Sequence, residues 1–158
     1  MTGSPAFELV SVRRLRIHEK VNREHVDLLE RSIRGEGVLW EPIWVARTDE
    51  FDVILNGHHR YGALVRLGAQ KVPAFVFDYE DPIITLGRWG EGPPVTKEEV
   101  IRRARRGTPF PSKTTRHTVL VDLPPRPTRL DDLLRVPTDR RAGATSTSRW
   151  VPEELSIP

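Results

Sequence analysis

The run Val53-Ile54-Leu55-Asn56-Gly57-His58-His59-Arg60-Tyr61 constrains this chain more than any other. Its branched apolar residues read as a buried strand, and Asn56-Gly57 is turn chemistry. From His58 onward, Tyr61, Leu64 and Leu67 recur at helical spacing until Gly68 stops the pattern. A strand, a tight turn and a helix follow one another without spare residues. Such a junction aims the first amides of the helix, with their partial positive charge, at the space beyond the strand end. Imidazole and guanidinium add further donors, so the parts are those of an anion site. His58 and His59 would equally serve to cap the helix or fill polar gaps, and composition leaves both readings open.

The flanking sequence supplies a small α+β framework. Residues 7–12 alternate roughly and read as a strand. Asn22 is a helix N-cap, followed by a stripe at Val26, Leu28, Leu29 and Ile33 that stops at Gly35-Glu36-Gly37. Residues 42–46 and 51–55 are β-branched and aromatic runs separated by the polar turn 47–50, which predicts neighbouring strands. Residues 72–79 form a further strand, with Pro73 near its start where a missing donor is tolerated. Thr96, with Glu99 three residues on, opens a short basic helix that Gly107 ends. Beyond Pro124 the chain is rich in proline and small polar residues, and only Leu130, Leu133 and Leu134 suggest a helical turn or two. The expectation is a domain over residues 7–118, with a small mixed sheet flanked by helices, and an irregular extension over 119–158. That extension would wrap the domain, stay loose, or pair with a second copy in a homodimer.

Composition excludes several chemistries. The 158 residues contain no cysteine, so disulfides, thiolate metal sites and cysteine nucleophiles are ruled out. No basic leader precedes an apolar run and no window approaches a membrane helix, which points to a cytoplasmic protein. The net charge of +3 is unevenly placed: residues 102–117 hold 6 basic and no acidic side chains. That stretch is an electrostatic footprint for phosphate, on a nucleotide or a nucleic acid.

Within it, Pro109-Phe110-Pro111-Ser112-Lys113-Thr114-Thr115-Arg116-His117 sets hydroxyls, a lysine, an arginine and a histidine in an extended run. It fits recognition of a carboxylate or phosphate, or a solvated basic loop. Glu19 stands at a strand-to-helix junction where a carboxylate could take a proton from a hydroxyl, though a surface glutamate explains it as well. Zinc is poorly served, since no HExxH pattern or cysteine occurs. No G-x-x-x-x-G-K-[ST] loop is present, and Gly87-Arg88-Trp89-Gly90-Glu91-Gly92 fits no dinucleotide fingerprint. Composition and spacing stop at a phosphate-binding domain of mixed α and β structure.

Ser32-Ile33 and Gly37 before Pro42-Ile43, then residues 53–61 and Leu67-Gly68, resemble the N-terminal domain of ParB. That superfamily includes ParB nucleotidases, sulfiredoxins and free serine kinases. Two histidines after the glycine, His18-Glu19 upstream and Lys113-Thr114-Thr115-Arg116-His117 downstream resemble the free L-serine kinases most closely, over roughly residues 8–118. The resemblance implies a kinase using ATP or ADP with Mg²⁺ to phosphorylate the hydroxyl of a free amino acid, serine or a relative. Glu19 would be the catalytic base. Gly57, His58, His59, Arg60 and Lys113 would bind nucleotide phosphates, with the metal carried by those phosphates. Ser32, Asn56, Trp89, Thr115 and His117 would face the amino acid. The family's motif begins with aspartate where this chain has Asn56, which leaves the acceptor open. A ParB-like nucleotide-dependent DNA switch, or a regulatory protein that binds without catalysis, are the competing readings; the G-E-R-R-like motif and helix-turn-helix of a partition protein are missing, so nucleic acid is not the expected partner.

Overall fold

The computed structural model describes residues 5–134. Its centre is a five-stranded mixed sheet in which β1 (Ala6–Ser11), β2 (Leu15–Arg16), β4 (Ile43–Arg47), β5 (Asp52–Asn56) and β6 (Lys71–Phe77) lie in the order β1-β6-β4-β5-β2. β1 runs antiparallel to β6 and β4 antiparallel to β5, while β4–β6 and β5–β2 are parallel. The short pair β3 (Val38–Leu39) and β9 (Thr128–Arg129) stands apart, as do β7 (Ile84–Arg88) and β8 (Thr115–Val119). Among the described residues four α-helices complete the fold: α1 (Arg23–Glu36), α2 (His58–Arg66), α3 (Lys97–Arg106) and α4 (Leu130–Leu134).

The central strands read as unbroken apolar runs because both faces of the sheet are covered. Side chains alternate between two cores at the strand period of two. Val45, Ile54, Val72 and Ala74 face one way, against Val26 and Ile33 of α1, Tyr61, Leu64 and Val65 of α2, and Leu130 and Leu133 of α4. Ala46, Val53, Leu55, Phe75 and Phe77 face the other way, against Ile84 of β7 and Val100 and Ala104 of α3. At the start of β5 Asp52 is fully buried and held by Arg14 and Arg47. Burial pushes its carboxyl up, but the bonds from Arg47 and Arg14 outweigh that and hold it below the ordinary carboxylate range.

The expected helix ends are built as the sequence implies. The Asn22 side chain accepts the His25 amide, and Gly37 closes α1 in the left-handed conformation. The Thr96 hydroxyl accepts the Glu99 amide, and Gly107 closes α3. The irregular extension begins in a more ordered way than expected. β9 pairs with β3, and the helical turn suggested by Leu130, Leu133 and Leu134 is α4, whose Leu133 is fully buried. The Leu133 carbonyl accepts the Gln70 amide and the Gly37 carbonyl accepts the Leu130 amide, so the packed body continues past residue 118 to 134. The rest of that extension lies outside the described residues. Among the described residues no helix is long and apolar enough to cross a membrane.

Candidate functional site

β5 delivers the chain to Asn56, and Gly57 turns it into α2 with φ +105° and ψ 24°. A Cβ at Gly57 would meet Ile43 Cγ2 at 2.5 Å, so close packing and backbone conformation both require glycine. No side chain caps α2 and its first turn holds no acid, which leaves its N-terminal amides to whatever enters from outside. They face a cavity of about 360 Å³ walled by Glu19, His25, Asn56, Gly57, His58, His59, Arg60, Trp89, Lys113 and Thr115. A second cavity of about 440 Å³ adjoins it, sharing Leu55, Asn56, Trp89 and Thr115 and adding Trp44, His117 and Leu123.

The two histidines of α2 fasten the opposite wall. His58 Nε2 accepts the His18 amide at 3.2 Å, and His59 Nε2 accepts the Asn22 amide at 2.9 Å. Each neutral ring therefore carries its hydrogen on Nδ1. His59 stacks on His25 with centroids 4.2 Å apart. Burial lowers the His59 pKa to about 4, with His25 and Lys113 adding to the effect. Burial drives His58 well below the usual imidazole range, helped by His18, His59 and His117. Both α2 histidines thus contribute dipoles and hydrogen bonds, not charge.

Arg60 is tied down. Its guanidinium donates to the carbonyls of Glu41 and Pro42 at 3.0 and 3.2 Å and to Asn56 Oδ1 at 2.9 Å. Burial lowers its pKa. Asn56 meets Arg60 through its oxygen, so the Asn56 amide nitrogen is the end left for the cavity.

Glu19 is held by the second candidate run. Phe110 bridges to the segment around it: the Phe110 amide donates to the His18 carbonyl, and the Lys20 amide donates to the Phe110 carbonyl. Lys113 adopts φ +61°, and the amides that follow converge. Glu19 Oε1 accepts the Lys113 amide at 3.1 Å. Oε2 accepts the amides of Thr114 and Thr115 at 3.2 and 2.5 Å and also meets the Thr115 hydroxyl. A carboxylate in a nest of three consecutive amides is held ready in one orientation.

Behind it, His18 is fully buried. Its Nδ1 donates to the Ile54 carbonyl at 2.7 Å and its Nε2 lies 2.8 Å from Thr115 Oγ1. Burial lowers its pKa to about 4. His117 meets the Tyr79 hydroxyl at 2.7 Å through Nε2, while its buried Nδ1 makes no well-aligned hydrogen bond, the Leu55 backbone lying beside the ring. Burial, then His18 and Lys97, lower the His117 pKa to about 3. Trp89 is half exposed at the junction of the two cavities, with the Arg116 guanidinium 4.6 Å from its ring centroid.

Nearly all the residues singled out from the sequence therefore converge. Ser32 does not: it lies on α1 beyond His25 and Leu29, is exposed, and lines neither cavity. The sequence reading missed the parts played by His18 behind Glu19, by Tyr79 against His117, and by His25 against His59. A buried histidine at a strand end carries no periodic signal, and the hint available was the adjacency of His18 to Glu19. Among the described residues no group of three His, Asp or Glu side chains is placed to hold a metal.

Residues 6–85 match the ParB N-terminal domain. The chain belongs to the ParB N-terminal domain family. This ParB-family chain is 24 % identical over 102 residues to the ADP-dependent L-serine kinase SerK of Thermococcus kodakarensis, a match covering 63 % of this chain and 42 % of that one. It is 37 % identical over 83 residues to the ATP-dependent L-serine kinase of Staphylothermus marinus, covering 51 % and 33 % respectively. It thus spans less than half the length of the curated relatives it matches. Its fold is that of a free serine kinase solved in complex with AMP, with a TM-score of 0.74 at 16 % identity, covering 84 % of this chain and 95 % of that one.

Proposed function

We propose that this ParB-family chain is a phosphotransferase that moves the terminal phosphoryl group of ATP or ADP to the side-chain hydroxyl of a free amino acid, L-serine or a related hydroxy acid. The observation that carries this reading is the placement of Glu19 across one cavity from the uncapped N-terminus of α2. Anion donors and a carboxylate base then flank the same small volume, which is what in-line transfer to a hydroxyl requires. The relatives named as serine kinases and the neighbour holding AMP favour the same reading.

The nucleotide's phosphates would lie on Gly57, the amides of His58 and His59, and Lys113. Arg60, bound to carbonyls and to Asn56, supports that turn and lends its charge at the cavity wall. The acceptor would occupy the second cavity, with its hydroxyl toward Glu19 and its polar ends toward Asn56 and His117, under Trp89. Glu19 removes the hydroxyl hydrogen as the acceptor oxygen bonds to phosphorus and the phosphorus–oxygen bond to the nucleotide breaks. Magnesium, when bound, neutralises phosphate charge; the lining offers no cage of carboxylates, so the ion would ride on the nucleotide. Residues 7–118 would form the transferase domain and 119–158 its extension, with 119–134 packed on the domain.

A binding protein without turnover is the second reading. It is favoured by Asn56, which bonds Arg60 where an aspartate would bring a charge, and by the four donors already on Glu19. Incubation with ATP or ADP, Mg²⁺ and a panel of hydroxy amino acids, followed by mass, separates the two. Phosphorylated acceptor supports the kinase, while nucleotide binding with no product from any acceptor supports the second reading.

A further inference from the structure

The hydrogen bonds behind Glu19 contain one acceptor too many. A carbonyl oxygen only accepts, so His18 Nδ1, 2.7 Å from Ile54 O, carries the hydrogen of a neutral imidazole, and Nε2 is left as an acceptor. Its partner at 2.8 Å is the Thr115 hydroxyl. The same hydroxyl is in contact with Glu19 Oε2. One hydroxyl hydrogen therefore faces two acceptors. With Glu19 ionised and His18 neutral, one of the two contacts has no hydrogen in it. Both are satisfied only when the three groups together hold one further proton.

The unfilled acceptor belongs to His18, which is fully buried at 0 % exposure, so water does not repair the deficit there; Thr115 and Glu19 are 8 % and 9 % exposed. We infer that Thr115 and His18 are positioning residues for Glu19, and that the Glu19–Thr115–His18 chain stores the proton removed from the acceptor hydroxyl. This rests on the reading of Glu19 as the base of a phosphoryl transfer. Before reaction, the Thr115 hydroxyl donates to the Glu19 carboxylate and His18 Nε2 is unfilled. As the acceptor oxygen bonds to phosphorus, its hydrogen passes to Glu19. The protonated carboxyl then donates to Thr115 Oγ1, and the Thr115 hydrogen turns to His18 Nε2. No charge develops on His18, which suits a ring whose ionisation burial opposes. The proton leaves when the chain resets, to the departing phosphate product or to water.

The surroundings favour a neutral end state. His58 and His117 pack edge-on against His18, with centroids 4.7 and 5.6 Å away, and both are themselves held neutral by burial. Lys113 meets Glu19 through its amide, and His25 and His59 stand across the cavity. Phe110 covers the remaining side of His18 and itself lies under the Arg103 guanidinium.

The test uses the full chain with two pairs of variants. Thr115→Val removes the hydroxyl and Thr115→Ser keeps it. His18→Asn retains a donor for Ile54 O but offers Thr115 nothing, while His18→Gln puts an amide near the lost Nε2. Thr115→Val and His18→Asn should each lower kcat by about 10²-fold, the lower end of general-base effects, with the nucleotide KM within about twofold. Thr115→Ser and His18→Gln should recover most of the loss. In His18→Asn the acid limb of the kcat–pH profile should move to lower pH, because only the protonated base loses a partner. Wild-type kcat and pH profile in both Thr115→Val and His18→Asn would overturn the inference. A second readout needs no turnover. In the wild-type protein the ¹⁵N signal of His18 Nε2 and the ¹³C signal of the Glu19 carboxyl should move together in one pH step, and Thr115→Val should uncouple them. Independent titration in the wild type also overturns the proton store, whereas a coupled step in a protein that transfers no phosphate would sustain it and sink the kinase reading instead.

Discussion

At the scale of single residues, Glu19 and Gly57 separate chemistry from architecture. Glu19→Gln keeps the size of the side chain and an oxygen for the amide nest, so nucleotide binding should survive while turnover falls by about 10²–10⁴-fold. Calorimetric titration with nucleotide beside a rate assay measures both, and near-normal turnover would remove Glu19 from the role of base. Gly57→Ala is the reverse case. Its Cβ would press into Ile43 and hold alanine at a φ that L residues avoid, so both the fold and nucleotide affinity should suffer. Unfolding in urea should show a loss of about 1–3 kcal/mol, the cost of one strained backbone position. Asn56→Asp would face the Arg60 guanidinium and turn a neutral contact into an ion pair. If the acceptor's ammonium is read at this position, that substitution raises kcat/KM for serine; if it instead locks Arg60 alone, stability rises with no change in acceptor preference.

At the scale of elements, the short connections carry more than their length suggests. α4 has five residues, yet Leu133 is fully buried against the sheet and α2, so Leu133→Ala should cost about 2–5 kcal/mol. A loss below about 0.5 kcal/mol in chemical unfolding would mean that α4 is not docked in solution. The elements that were legible in the sequence each had a local cause. The α1 stripe ends at Gly37, the Thr96 hydroxyl opens α3, and β5, Gly57 and α2 follow from an apolar run meeting a glycine. Those that were not legible depend on distant partners. Ile84–Arg88 contains a glycine and follows a proline, and it becomes a strand because Thr115–Val119 pairs with it. Two-residue strands such as β3 and β9 have no pattern to read at all. The site divides the same way: Asn56 to Arg60 are adjacent and announce themselves, whereas the His18 ring bonds to Ile54 and Thr115, both distant in sequence.

At the scale of the whole molecule, the buried histidines set the response to acid. His18, His58 and His117 are buried with folded pKa values depressed below the ordinary 6.5, to about 4 for His18 and about 3 for His117. Between those values and 6.5 the unfolded chain binds protons that the folded chain refuses, so stability is full above about pH 6.5 and falls as pH drops below it. Each such histidine adds at most about 1.4 kcal/mol per pH unit in that window. The urea midpoint should therefore be markedly lower at pH 5 than at pH 7.5, before Asp52 becomes protonated. A flat profile over that range would mean that the histidines are hydrated in solution.

The amides that grip Glu19 lie 94 to 96 residues further along the chain. Gly57 and α2, by contrast, are made from neighbours. During synthesis the phosphate-facing turn can take shape as soon as its sheet partners have emerged, but the carboxylate lacks its amide nest until Lys113 to Thr115 leave the ribosome. Closing so long a loop is an entropic cost met only by the finished sheet beneath it. Affinity for nucleotide and capacity for turnover should thus arise at different moments in the life of the polypeptide, and a fragment ending before Lys113 would at best grasp a nucleotide without being able to spend it.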